Sequence, residues 1–161
     1  MYLMQWLTET MAGEFLLTML VSMVPVIELR GGIPFGVAAG LPVWMAMLAS
    51  VIGNVIPVPF IIVYIRRIFQ WMRRRMPRFG GMIDKLEAKA HLKGQKVQKY
   101  QYFGLALFVA IPLPGTGAWT GALAAAFLDM RLRKAFPSVV AGVLVAGVLV
   151  SAITYGVASI F

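Results

Sequence analysis

The feature that most constrains this chain is a run without one charged side chain, residues 31–65. As a single helix it would be roughly 50 Å long at about 1.5 Å per residue, too long for a hydrocarbon core of about 30 Å. As two full spans it is too short. Its first third holds Gly31, Gly32, Pro34, Gly36, Gly40 and Pro42, residues that favour turns and breaks. The economical reading is a broken, re-entrant piece at 28–41, then one span over 42–65. The charge-free stretch 100–128 repeats the difficulty, because Pro112, Pro114, Gly115 and Gly117 interrupt it midway. That gives one half-span over 100–111 and another over 118–128. The run 135–161 fits one transmembrane helix, with small residues such as Ala141, Gly142, Ala146, Gly147 and Ser151 for close packing.

Composition agrees with a membrane body. The chain is 60% hydrophobic and 13% charged, against about 45–50% and about 25% in ordinary soluble domains. With no cysteine and a single histidine, disulfides, thiolate metal sites, a cysteine nucleophile and a histidine metal cluster are excluded. No nucleophile–base pair or pair of carboxylates in one cleft is visible. An enzyme, a cofactor and a bound metal are therefore not expected.

The net charge of +9 is concentrated. Segment 66–102 holds 11 of the 15 basic residues and two of the six acids, which accounts for the whole imbalance. Positive loops stay cytoplasmic, so 66–102 is expected inside the cell, in contact with anionic lipid. Ile83, Leu86, Ala90 and Val97 fall near helical spacing among lysines, which predicts an amphipathic helix over 79–99. A nucleic-acid partner explains this loop less simply, and none is expected. The first ten residues carry no basic group. A secretory signal would begin with one, so the segment is expected to stay in the mature protein.

The two interrupted regions look like versions of one unit. Each has a half-helix ending in Pro (Pro25, Pro112), a Gly-rich break, a half-helix of small residues and a full span, offset by about 85–88 residues. The basic loop and the basic turn at Arg131, Arg133 and Lys134 put the second unit's entry and return inside. The first unit then opens outside at Gly40–Pro42, so the units are inverted and both termini lie outside. The expected fold is an all-α integral membrane protein, one membrane domain over 1–161. It comprises two inverted repeats, each a broken re-entrant hairpin followed by a transmembrane helix, over 11–65 and 103–161, joined by the basic cytoplasmic loop 66–102. Such architecture belongs to secondary transporters.

Glu28 and Arg30 are the sharpest functional signal. Both lie in an apolar region, where ionisable groups are costly and default to function. In an extended segment residues two apart point the same way, so both would face one cavity. The plainer alternative is a structural ion pair. Arg30 suits a phosphate or carboxylate. Glu28 suits a proton or Na⁺ carrier, or a counter-charge for a cationic drug. Gly115, Thr116, Gly117 and Thr120 offer backbone N–H groups and hydroxyls at the start of a helix, which favours anions; the alternative is a tight turn. Asn54 either lines the path or bonds to the neighbouring unit, and Pro57 should kink the helix around it. Asp129 reads as the N-cap of the last helix.

The runs ELRGGIPFG (28–36) and PLPGTGAWTG (112–121) together resemble the small multidrug export protein family of short prokaryotic membrane proteins. The layout is more distantly similar to the DedA/VTT superfamily, with paired re-entrant hairpins. That likeness implies movement of lipids such as polyprenyl phosphate carriers, with proton or sodium dependence, and puts Glu28 at the acidic position of the first hairpin. The run 112–128 lacks the arginines of DedA proteins, which leaves Arg30 as the hairpin phosphate ligand, with Arg131 and Arg133 at the cytoplasmic mouth. The expectation is a multi-pass transporter of the prokaryotic cytoplasmic (inner) membrane for an amphiphilic anion. Arg30, Gly115, Thr116, Gly117, Thr120 and Asn54 would bind substrate and Glu28 would couple to H⁺ or Na⁺. The alternatives are small multidrug efflux of lipophilic cations and a non-transporting membrane scaffold. A chain this small has little protein to seal a pathway, which leaves a homodimer open.

Overall fold

The computed structural model describes residues 10–75, 100–113 and 115–158. Their regular structure is all helical: α1 Met11–Ser22, α2 Glu28–Ala38, α3 Val43–Val55, α4 Pro57–Arg75, α5 Gln101–Ala110, α6 Ala118–Phe127 and α7 Leu132–Ala158. The amphipathic segment expected over 79–99 lies outside the described residues. The first ten residues of the basic segment continue helix α4 to Arg75.

Two segments are long and apolar enough to cross a bilayer, Val43–Ile65 and Leu132–Val157. The first joins α3 to α4 through Ile56, whose backbone stays helical (φ −52°, ψ −48°). Pro57 cannot donate a hydrogen bond to Gly53, and regular α3 stops two residues before it. The outward faces of both spans are apolar. Trp44, Leu48, Ile52 and Phe60 are exposed on the first, and Leu144, Val145, Val148 and Ile153 on the second. A soluble helix would turn polar residues outward there.

The first hairpin is α1 and α2. Thr10 caps α1, its hydroxyl oxygen accepting from Gly13 N at 3.1 Å. The helix stops at Ser22, and residues 23–27 form the break around Pro25. This differs from the expectation. The Gly-rich run from Glu28 to Gly36 is helical, Pro34 included, and the interruption precedes it. The glycines serve close packing instead of unwinding. Any side chain at Gly32 would collide with Ser22 on α1, and its Cβ would lie 2.8 Å from Ser50 Oγ on α3. At Gly36 a Cβ would lie 2.9 Å from both Thr18 Oγ1 and Ala46 Cβ.

Helix α2 closes with a Schellman turn, in which Gly40 N donates to Val37 O and Leu41 N to Gly36 O, with Gly40 at φ +112°. The same turn recurs 89 residues later: Asp129 N donates to Ala126 O and Met130 N to Ala125 O, with Asp129 at φ +50°. Asp129 thus closes α6 in the left-handed position that Gly40 fills in the first half. Its backbone ends one helix three residues before α7 begins at Leu132. The recurrence extends inward. Gly53 meets the carbonyl of Met19 so closely that no side chain fits, and Gly142 meets the carbonyl of Ala106 in the same way. Gly32 packs between Ser22 and Ser50, while Gly121 packs between Val109 and Val139. The buried core joins both halves, with Leu29, Ile33, Val58 and Ile62 against Val109, Ala122, Val139 and Val143. Helix α4 packs on α6, and α7 packs on α2 and α3.

Candidate functional site

The two breaks, 23–27 and 111–117, meet around a cavity of about 460 Å³ lined by Pro25, Val26, Glu28, Arg30, Pro112, Gly115, Thr116 and Thr120. Five of the seven residues singled out in the sequence therefore share one cavity. Gly117 adjoins it, because a Cβ there would overlap the Glu28 carboxylate. Asn54 is not among the lining residues.

Glu28 opens α2 in a left-handed backbone conformation, φ +50°. This costs a residue other than glycine about 1–2 kcal/mol and is retained where neighbouring structure requires it. Its side chain is buried, and Oε1 accepts from Trp119 N at 3.2 Å. Trp119 is the second residue of α6, whose N-cap position is Gly117. Helix N-termini expose unpaired N–H groups that a side chain at the N-cap usually satisfies. Gly117 has none to offer, and the carboxylate of the first hairpin takes that role. Gly117 is extended (φ 171°), a conformation open to any residue, so glycine here answers a need for space.

Arg30 lies two residues further along α2 and lines the same cavity. Its Nη1 donates to Leu113 O, and its Nη2 donates to Thr116 Oγ1 at 3.0 Å. The Thr116 hydroxyl also accepts from Leu113 N at 3.2 Å and donates to Ile111 O at 2.6 Å, which folds the second break onto itself. Thr120 donates to Gly117 O at 3.3 Å. The extended geometry expected for Glu28 and Arg30 is not found. Both are helical, and each grips the second hairpin. The arginine's hydrogen bonds go to neutral oxygens, and the Glu28 carboxylate in the same cavity acts on its charge without a direct hydrogen bond.

Residues 28–149 match the family described as "Putative small multi-drug export protein". The chain belongs to this family. The matched region covers six of the eight cavity-lining residues, the whole first span and most of the second, and the apolar spans together with the family place the chain in a membrane. No curated relative and no solved structure matches it.

Sequence reasoning missed Trp119 in this family member. Its backbone N–H holds Glu28, and its indole Nε1 donates to Met23 O at 3.2 Å in the first break. Its ring also lines an apolar groove of about 320 Å³ with Phe60, Ile61, Tyr64, Ile65, Ile68 and Leu123. One available signal was position, since the second residue of a helix that starts on glycine presents an uncapped N–H. Asn54 is fully buried on α3, and neither its Nδ2 nor its Oδ1 has a hydrogen-bond partner among the described residues. Ser50, one turn earlier, is likewise buried and unpaired.

Proposed function

We propose that this protein is a multi-pass transporter of a prokaryotic cytoplasmic membrane that carries an amphiphile with an acidic headgroup, coupled to H⁺ or Na⁺ at Glu28. The observation that carries this reading is Arg30. It is a guanidinium in a cavity of about 460 Å³, hydrogen-bonded among the described residues to a carbonyl and a hydroxyl, with Glu28 as the carboxylate in the same cavity. A phosphate or carboxylate offers it a charged, bidentate partner in place of neutral ones. An apolar groove beside α4 includes Trp119, whose backbone N–H holds Glu28, and suits the tail of an amphiphile such as a polyprenyl phosphate.

In this reading the chain is two inverted repeats, each a re-entrant hairpin followed by a span. The recurring Schellman turns and the Gly53 and Gly142 contacts support the repeat. The basic segment 66–102 supports a cytoplasmic loop between the units and termini outside. Transporters of this design bind substrate where broken helices meet. A second reading, efflux of lipophilic cations neutralised by Glu28, is favoured by the family's description and by the buried carboxylate.

Thermal stabilisation separates these readings, since a ligand that binds only the folded state raises apparent stability with its concentration. The acidic-amphiphile reading expects a polyprenyl phosphate to stabilise the wild type and to lose that effect in Arg30→Ala. Stabilisation by a lipophilic cation alone would hand the case to efflux. No shift with either would leave a membrane scaffold.

A further inference from the structure

We propose that Asn54 is the second seat of the Glu28 side chain, taken when the carboxyl group is protonated. The proposal rests on the reading of Glu28 as the carrier of the coupling ion and names that ion as a proton.

The register between α2 and α3 leads to the pair. Gly36 lies against Ala46 and Gly32 against Ser50, in antiparallel sense. Continued by one helical turn, the same register would set Glu28 level with Asn54. Asn54 is fully buried with both amide atoms unpaired, and buried polar atoms are seldom left so. A partner that satisfies the amide accepts from Nδ2 and donates to Oδ1, as a buried water or a neutral acid can. A carboxylate only accepts, and a metal cation offers Nδ2 nothing. A carboxylic acid has one of each: its O–H donates to Oδ1 while its carbonyl oxygen accepts from Nδ2.

The seat Glu28 occupies is suited to the other protonation state. The N-terminus of α6, through Trp119 N, favours negative charge. On protonation that advantage is lost, while the amide of Asn54 becomes a complementary partner. The proton binds a carboxylate oxygen and stays on it, and the side chain changes place. Leaving α6 frees the Trp119 N–H beside Arg30 for an acidic headgroup. Proton uptake and substrate binding then favour one another through shared N–H groups.

The second half of the chain supports the pairing. The positions 89 residues on from Glu28, Ser50 and Asn54 hold Gly117, Val139 and Val143. Val139 and Val143 are fully buried there, so packing at these sites is met by valine. Where the acid is absent the amide is absent too. Arg30 is the other charged group lining the cavity. Helices α3 and α6 carry no charge, and Glu14 of α1 stands at the far end of the hairpin beside Gly40.

Asn54 is the single asparagine of the chain, which gives a direct test. Protein labelled with ¹⁵N in asparagine alone, in nanodiscs, has one side-chain NH₂ signal. That signal should move with a single midpoint as pH is varied, and should stay still in Glu28→Gln. A second measurement follows the infrared carboxyl band that Glu28→Gln removes. Because the amide stabilises the protonated form, Asn54→Val should lower its titration midpoint by about one pH unit, about a tenfold loss of proton affinity. The proposal is overturned by an NH₂ signal that ignores pH, that moves equally in Glu28→Gln, or that responds to Na⁺ at fixed pH instead. A midpoint unchanged in Asn54→Val overturns it as well. Neither measurement uses a substrate, so their failure is distinct from failure of the stabilisation experiment.

Discussion

Gly117→Ala tests whether the Glu28 carboxylate caps α6 across the two hairpins. The new methyl carbon would overlap Oε2 and lie 2.6 Å from both Cδ and Oε1 of Glu28, well inside van der Waals contact. Alanine tolerates the extended backbone of this position (φ 171°), so backbone strain adds nothing. Either the carboxylate leaves Trp119 N or the second break shifts. The first outcome forfeits a hydrogen bond to a charged acceptor, worth about 1.5–3 kcal/mol. For a chain of this length that corresponds to a fall in melting temperature of roughly 3–12 °C, at about 2–4 °C per kcal/mol. The informative assay is a double-mutant cycle with Glu28→Ala, read by thermal unfolding in one detergent. Glu28→Ala removes both the cap and the obstacle, so Gly117→Ala should then cost little. A coupling energy of about 1–2 kcal/mol is expected, in the range found for residues in contact. Additive effects, or an unchanged melting temperature in Gly117→Ala, would refute the capping argument.

Other substitutions separate the parts of the fold. Gly53→Ala and Gly142→Ala each drive a methyl into a backbone carbonyl of a neighbouring helix, and both should lower stability by about 1–3 kcal/mol, measurable by thermal unfolding. Gly104→Ala meets no atom within 4 Å in the middle of α5 and should be neutral or raise stability by up to about 1 kcal/mol in the same assay. Trp119→Phe keeps the backbone N–H that holds Glu28 but loses the bond to Met23 O; a loss of about 1 kcal/mol is expected, with the protonation behaviour of Glu28 unchanged by infrared titration. Arg30→Lys cannot span Leu113 O and Thr116 with a planar fork, and should reduce binding of an acidic amphiphile by about tenfold in a thermal-shift titration.

The sequence made the site more legible than the local backbone around it. Glu28 and Arg30 stood out because charge is expensive in an apolar run, and that argument survives any local geometry. Gly115 and Thr116 stood out because a Pro-Gly-Thr-Gly run cannot continue a span, and Thr120 for its hydroxyl just beyond it; all three line the cavity. The position of the first break was misread. Glycine in a sequence signals freedom, but Gly32 and Gly36 use their missing Cβ for contact with α1 and α3. The same composition permits either use, and only the neighbouring helices decide. Asp129 stood out for a side chain that suits an N-cap; that its backbone closes the preceding helix rests on its tolerance of positive φ, which the sequence does not announce. Trp119 was out of reach because its main contribution is a backbone N–H that every residue except proline has.

The contacts across the two breaks have a reciprocity that bears on how the protein can move. Arg30 on α2 donates to Leu113 O in the second break, and Trp119 on α6 donates to Met23 O in the first. Arg30 and Trp119 are themselves 89 residues apart, the same offset as the Schellman turns. Each hairpin thus satisfies carbonyls that the other hairpin's break leaves without a helical donor. Leu113 O also accepts from Thr116 N at 3.1 Å within its own break, so separating the hairpins in a dry state costs chiefly the donor to Met23 O and the acceptors of the Arg30 guanidinium. Water or a ligand that replaces these partners removes that cost. A headgroup that engages Arg30 competes directly with Leu113 O and Thr116 for the guanidinium. Binding in the cavity would therefore loosen the contacts that hold the two breaks together, and an empty dry cavity would hold them closed.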